Sequence, residues 1–257
     1  MSQASDARIH NFLLGGSDHY EPDREAAREL ISLAPAARQV AQASRLFLLR
    51  AVRYLAGEHR IGQFLEHGAG LPLRESVHQV ARRANRAARV VYIDNDPVVL
   101  AHARMMLDEG HTLIVDADML DSQTILTCSE RAGFLDRARP VAVLFTSALH
   151  CVSDERDPHK HISGLMDSLP SGSFLVLCHW ASNNAAFREE ASRRLQRLTA
   201  GQGVCVRSCS EVDRFFQGLE PVGDPIGDVA YWRTAAPLKL RSPDRTLIAY
   251  GGVARKR

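Results

Sequence analysis

From Ile61 onward the chain alternates short apolar runs with amphipathic segments of helical length, and that alternation constrains its fold more than any other feature. The runs are Ile61 to Leu65, Val90 to Ile93, Leu113 to Val115, Val141 to Phe145 and Phe174 to Cys178. Strand side chains point alternately to two faces, so a continuous apolar run must be covered on both. Parallel strands joined by crossover helices meet that need, which predicts βαβ units and a Rossmann-like α/β sheet. After the fifth run, the pattern predicts an arginine-rich helix over Asn183 to Ala200 and a short helix over Ser210 to Gln217. Further strands are expected at Val229 to Trp232 and Leu247 to Val253.

Before Ile61 the periodicity is helical. Val40, Phe47, Leu48, Ala51, Val52 and Leu55 recur on one face, with Arg45, Arg50 and Arg53 among the polar neighbours. Gly15-Gly16 follows the apolar Phe12-Leu13-Leu14, and Pro22 suits the first turn of a helix continuing as Asp23-Arg24-Glu25-Ala26-Ala27. The expected organisation is an N-terminal helical cap over residues 1–57 and a Rossmann-like domain over 58–257, with an insertion at about 180–209.

Charge and cysteine usage narrow the class. With 32 basic and 30 acidic residues the formal net charge is +2, which argues against a dedicated nucleic-acid binder. Arg255-Lys256-Arg257 reads as a small solvated tail. The five cysteines, at 128, 151, 178, 205 and 209, form no C-x-x-C pair and read as reduced thiols. No run reaches the ~18 apolar residues of a membrane helix, and the first residues are not built as a signal sequence. A cytoplasmic protein that does not engage a membrane is expected.

Glu66-His67-Gly68-Ala69-Gly70-Leu71-Pro72 follows the first apolar run directly, and reads as a strand, a glycine turn and the start of a helix. Glycines there let a backbone approach a nucleotide closely. Acids fall at three successive strand ends: Glu66 at the first, Asp94 at the second and Asp118 after the third. In an open parallel sheet that edge is the ligand-binding edge. A carboxylate at the second strand can accept from ribose hydroxyls, and one at the third from the amine of adenine. Each acid alone also reads as a helix N-cap in a βα loop. A dinucleotide fingerprint wants a third glycine where Leu73 stands, preceded here by Pro72. Glu66 is a poor neighbour for pyrophosphate and a natural one for the ammonium of S-adenosylmethionine, a cationic nucleoside without phosphate.

The chain resembles a bacterial family of S-adenosylmethionine-dependent methyltransferases, formerly catalogued as a domain of unknown function. The resemblance rests on Ala7-Arg8-Ile9-His10-Asn11-Phe12-Leu13-Leu14-Gly15-Gly16, on Asp23-Arg24-Glu25-Ala26-Ala27, and on Phe64-Leu65-Glu66 with Gly68-Ala69-Gly70-Leu71-Pro72. Val90 to Leu100 and Pro170 to Leu177 complete it, so that it runs from about residue 7 to Lys256. It implies the class I methyltransferase fold, a seven-stranded, mostly parallel sheet with an antiparallel last strand. It further implies that Glu66, Gly68 and Gly70 line the methionine end of the cofactor and that Asp94 holds the ribose. Asn95 would lie beside the adenine, Asp118 and the backbone of Met119 at its edge, and Ser147 near the methionyl part. Gly16, Asp18, Tyr20 and Arg24 would close over the cofactor. His67 stands where the family usually has an apolar residue and His19 where it commonly has a small amide.

The expected reaction is methyl transfer to a small-molecule acceptor. In-line positioning supplies much of the catalysis, and a base is needed only where the acceptor must lose a proton. His150 and His179 are the candidate bases, His150 preferred for its proximity to Ser147; each also reads as a structural histidine. His150, Asp154, Asp157, His159 and His161 repeat no known metal-ligand spacing, and no metal is expected. Arg188, Arg193, Arg194 and Arg197 read as a solvated helix face or a surface steering an anionic acceptor. Thr146-Ser147-Ala148-Leu149 replaces the signature of adenine-N6 DNA methyltransferases, which argues against a DNA substrate. The rival readings are a non-catalytic binder of the same cofactor and a nicotinamide-dependent oxidoreductase.

Overall fold

The computed structural model describes residues 4–106, 110–199, 205–234 and 246–257. Three helices come first: α1 (Asp6–Leu13), α2 (Glu21–Leu33) and α3 (Ala37–Gly57). Strands and helices then alternate as β1 (Gln63–His67), α4 (Val77–Ala84), β2 (Arg89–Asp94), α5 (Pro97–Met106), β3 (Thr112–Asp116), α6 (Ser122–Arg131), β4 (Ala142–Thr146), α7 (Pro158–Ser168) and β5 (Phe174–Ala181). The remainder is α8 (Ala185–Leu198), α9 (Cys209–Asp213), β6 (Glu220–Pro221), β7 (Gly227–Asp228) and β8 (Ile248–Arg255). Ala200, at the end of the arginine-rich helix expected from sequence, lies outside the described residues.

The sheet runs β3-β2-β1-β4-β5-β8-β6, with β7 also pairing to β8. Strands β1 to β5 are parallel, and β8 is antiparallel to β5 from Phe174↔Arg255 to Ala181↔Ile248. All five apolar runs became strands. Their alternate side chains enter two separate cores: Phe64, Val90 and Leu144 face one, while Leu65, Val91 and Val143 face the other. Helix α3 fills the first core with the apolar stripe read from its sequence; Val40, Phe47, Leu48, Ala51, Val52 and Leu55 are all buried.

The sheet has eight strands rather than the seven expected. The stretch Gly218 to Asp228 contains Pro221 and Pro225, which lack the N–H a ladder needs, so it pairs with β8 as two short pieces, β6 and β7. Val229 to Trp232, expected as a strand, instead forms turns closed by Tyr231 N to Asp228 O and Trp232 N to Val229 O. Its apolarity serves packing: the Trp232 ring lies 5.3 Å from Phe47 of α3, edge to face. The long β5–β8 pairing requires Gly251, where a Cβ would stand 1.9 Å from the Leu177 carbonyl oxygen.

Helices α1 and α2 are joined through Asp23, which is fully buried. Its Oδ1 accepts from Ser5 N at 2.9 Å, and its Oδ2 from Arg8 Nε at 2.9 Å and Tyr20 N at 2.7 Å. One carboxylate therefore caps α2 and holds the start of α1. Stranding buried donors costs about 1–3 kcal/mol each. Asp23→Ala is accordingly expected to lower unfolding free energy by at least ~2 kcal/mol in urea denaturation; a loss well under 1 kcal/mol would contradict the assignment.

Candidate functional site

A cavity of about 760 Å³ lies at the carboxyl ends of β1 to β4, with α1 forming one wall. Order in the sheet places it where the chain, having run outward from β1 to β3, returns to β4 on the other side of β1. That reversal opens a crevice between loops leaving in opposite directions.

Each loop is fixed by a few contacts. Gly68 and Gly70 have φ of 63° and 65°, a region that favours glycine. A Cβ on Gly68 would also meet Ala148 Cβ at 2.6 Å, so the β1 and β4 loops approach too closely for any side chain there. Asp94 binds both its own loop and the glycine turn. Its Oδ2 accepts from Gly70 N at 2.9 Å, and its Oδ1 from Asn95 N at 2.9 Å and Asp96 N at 3.0 Å. The helix expected to start at Pro72 begins only at Val77, where Ser76 N donates to Gln79 Oε1. A loop therefore separates the turn from a helix N-terminus, and the arrangement that cradles pyrophosphate is not formed.

Glu66 is 5% exposed and its Oε2 has no hydrogen-bond partner among the described residues. Burial pushes its carboxyl up to about 7, with the charge of Arg45 opposing and that of Asp94 adding to the shift. Asp94 is likewise raised by burial, against its backbone N–H donors. A buried acceptor lacking a donor suits a ligand that brings a cationic donor of its own.

His67, unexplained by sequence, is a fully buried tie between loops. Its Nδ1 lies 2.8 Å from the Met119 carbonyl, which only accepts, so the proton is on Nδ1. The ring stacks on Phe145 at 4.2 Å, and burial lowers its pKa to about 4, so it is neutral. Asp118 accepts from Leu120 N at 2.9 Å through Oδ1 and pairs at 2.9 Å with Arg156 Nη2 through Oδ2. Ser147 adopts φ 55°, with its N–H on the Cys178 carbonyl and its Oγ buried without a partner among the described residues.

The cavity thus brings together Glu66, Gly68, Gly70, Asp94, Asn95, Asp118, Met119 and Ser147. It does not reach Gly16, Asp18, Tyr20 or Arg24, which lie in the connection from α1 to α2 and in the first turn of α2. Gly16 packs against Asn11, where a Cβ would come within 2.4 Å of Oδ1, and Asp18 N donates to that oxygen at 3.0 Å. Tyr20 lies under the Arg8 guanidinium at 5.4 Å, and Arg24 holds Glu21 and His19. Asn11 and Arg8 do line the cavity.

Neither candidate base lines it. His150 is 3% exposed and stacks on Trp180 at 4.3 Å, and burial drives its pKa well down. His179 Nε2 accepts from Arg207 Nη1 at 2.6 Å, which occupies the lone pair that a base would use. The wall contains instead Asp6, His10 and Arg45, which sequence reasoning did not single out as site residues. The one available signal was Asp6 and His10 four apart on a helix beside the Gly15-Gly16 turn. Burial raises Asp6 to about 6, opposed by a hydrogen bond with Cys151, and lowers His10 to about 4, assisted by the charge of Arg45.

The loop cluster from His150 to His161 is otherwise engaged: Asp154 pairs with Arg207, Asp157 caps α7, and His159 stacks on Phe215. Among the described residues no group of three or more His, Cys, Asp or Glu is placed to hold a metal. Among them, too, no helix is long and apolar enough to cross a membrane.

Comparison with known proteins agrees with this geometry. A sequence profile described as S-adenosyl methyltransferase matches residues 1–257. A candidate methyltransferase from Thermobifida fusca YX is 31% identical, with a TM-score of 0.90 over 99% of this chain and 96% of that one. A DUF574 family protein from Streptomyces avermitilis MA-4680 is 36% identical, with a TM-score of 0.87 over 99% and 98%. The plantazolicin methyltransferase BpumL, solved with S-adenosylhomocysteine, shares the fold at 10% identity and a TM-score of 0.52, over 98% of this chain and 95% of that one. A search of curated proteins gave no match. Since the profile spans the whole chain and two relatives exceed 30% identity along nearly all of it, the chain belongs to the S-adenosyl methyltransferase family and is a methyltransferase that uses S-adenosylmethionine as its cofactor.

Proposed function

We propose that the cavity holds S-adenosylmethionine along the ends of β1 to β4 and that the methyl group passes to a small-molecule acceptor. The observation that carries this reading is the buried Oε2 of Glu66, which has no hydrogen-bond partner among the described residues and can accept from the α-ammonium of the cofactor. Asp94 Oδ2 accepts one backbone N–H and keeps a lone pair for a ribose hydroxyl. Asn95 lies beside the adenine, with Asp118 and Met119 at its edge, and Ser147 near the methionyl part. Arg156 shares Asp118 Oδ2 and orients that carboxylate. Gly16 and Asp18 act at one remove by holding Asn11, and Tyr20 by holding Arg8, in the wall, while Arg24 reaches only Glu21 and His19. In this reading residues 1–57 form the cap over the cofactor and 58–257 the domain that carries it.

Bound S-adenosylmethionine supplies a methyl group already activated by the sulfonium. The protein's part is to hold the acceptor in line with the S–CH3 bond, from which the departing pair passes to sulfur. Where the acceptor must shed a proton, Asp6 is a wall carboxylate able to accept it, its pKa raised to about 6, whereas burial lowers the basicity of His10 as it does that of His150. Enclosure beneath α1 and the net charge of +2 favour a small molecule over a nucleic acid. The five cysteines are all free, which suits a reducing, cytoplasmic setting.

Calorimetry with S-adenosylhomocysteine and NADH tests the core of the proposal. Tight NADH binding with no S-adenosylhomocysteine binding overturns it, and cofactor binding without turnover across a broad acceptor panel favours a non-catalytic binder. Asp94→Ala should weaken S-adenosylhomocysteine by roughly 10- to 100-fold, the worth of a charge-assisted hydrogen bond; affinity within about twofold of wild type removes the ribose assignment.

Glu66 also sets a pH dependence. Its proton leaves near pH 7, and a cationic ligand binds the ionised form better, so affinity should rise as pH climbs from about 5.5 and level off above about 7.5. Asp6 titrates lower in the same wall, so Glu66→Gln is the control. This variant should bind more weakly at pH 8 and lose most of the rise between pH 6 and 8, as followed by calorimetry; a wild-type curve flat over that range speaks against Glu66 as the ammonium partner.

A further inference from the structure

A ligand that ends in an amino acid is a zwitterion, and needs a fixed cation as well as a carboxylate. Three arginines line the cavity: Arg8, Arg45 and Arg156. Two of them already face a carboxylate. Arg8 Nε lies 2.9 Å from Asp23 Oδ2, and Arg156 Nη2 lies 2.9 Å from Asp118 Oδ2. Arg45, on α3, forms no ion pair with a carboxylate among the described residues; its Nη2 donates to the carbonyl of Glu75.

That bond uses one of five guanidinium N–H groups and braces the side chain against the loop between the glycine turn and α4. Among the described residues the remaining donors have no other hydrogen-bond partner, which leaves them for a planar, bidentate one. Arg45 also borders a small recess continuous with the glycine turn, lined by Glu66, Gly70, Leu71 and Tyr92. Its charge acts on both Glu66 and His10, so it stands beside the residue assigned to the ammonium. The other basic groups nearby are unsuited. His10 is held uncharged by burial, and Arg24 is engaged by Glu21 and His19 outside the cavity.

We infer that Arg45 receives the α-carboxylate of the cofactor, opposite Glu66, so that the two residues read the amino-acid tail as a zwitterion. The inference rests on the cavity being the S-adenosylmethionine site. It also assigns the brace at Glu75 a function: by fixing the guanidinium before the ligand arrives, it limits the rotamer entropy lost on binding.

The test compares S-adenosylhomocysteine with S-adenosyl-3-thiopropylamine, which keeps the nucleoside, thioether and ammonium and lacks only the carboxylate. Calorimetry on the full chain should show that wild type prefers S-adenosylhomocysteine by at least about tenfold and that Arg45→Gln erases most of that preference, leaving the amine within about twofold of its wild-type affinity. Equal weakening of both ligands means that Arg45 acts only through the loop, and overturns the inference. So does a wild type that binds the two equally. A wild type that binds neither ligand overturns the cofactor-site reading itself, a result distinct from either. Circular-dichroism melting checks that Arg45→Gln folds. If it does not, Arg45→Lys provides the measurement: S-adenosylhomocysteine should weaken at least about threefold with the amine unchanged, because a point charge does not replace the fork. Unchanged S-adenosylhomocysteine affinity in that variant overturns the inference.

Discussion

The Asp94 carboxylate is the contact on which the ligand-binding edge depends. Three backbone N–H groups converge on it from two loops, and one of them, from Gly70, crosses from the β1 turn to the end of β2. Together with the bond from Ala69 N to the Ile93 carbonyl at 3.1 Å, that crossing bond selects the left-handed glycines over other conformations open to glycine. The neighbouring ties extend outward from it. His67 joins β1 to the loop after β3 through Met119, and Gly68 lets the loop after β4 approach to contact distance. Four strand ends are thereby held in one arrangement before any ligand arrives. Asp96 carries the arrangement to α1, since its Oδ2 accepts from Ser5 Oγ at 2.8 Å while Ser5 N rests on Asp23.

The charges in the cavity wall follow from the same burial. Carboxylates removed from water hold their protons longer, as Glu66, Asp94 and Asp6 do, the last two even against hydrogen bonds that favour the charged form. Histidines removed from water lose theirs, as His10 and His67 do. At neutral pH the wall is therefore less charged than its composition suggests, and under the proposed placement a cationic nucleoside would restore charge by favouring the ionised carboxylates. A phosphate-bearing dinucleotide would gain nothing comparable from these acids.

The strands were legible because a strand buried on both faces leaves a short apolar run, and here such runs alternate with amphipathic segments of helical length. The acids at strand ends were legible for the complementary reason, as polar residues placed where the apolar run stops. Legibility failed where one residue type serves two purposes. Pro72 looked like a helix start but lies in the loop before α4; Val229 to Trp232 looked like a strand but turns to fill a gap beside Phe47. Arg45 read as the polar side of a helical stripe, because a sequence does not say which part of a polar face meets solvent and which meets a cavity. His67 was opaque for a similar reason: its partner, a backbone carbonyl, leaves no signature in sequence.

Behind the cavity, a second buried charge explains why the β4 loop can be both strained and well placed. Arg207 is 1% exposed, and its guanidinium donates to the carbonyls of Leu149 and Val152, to Asp154 Oδ1 and to His179 Nε2. These partners all belong to β5 or to the segment that follows Ser147. A non-glycine residue held at φ 55° costs of order 1 kcal/mol or more and persists only where its surroundings over-determine it. Arg207 supplies that determination from one side and Gly68 from the other, so that the Ser147–Val152 segment is clamped between a buried cation and the glycine turn. The histidines that sequence offered as bases are components of this clamp: His179 as an acceptor for Arg207, His150 stacked on Trp180. Their burial at the loop's rear keeps both rings out of the cavity wall.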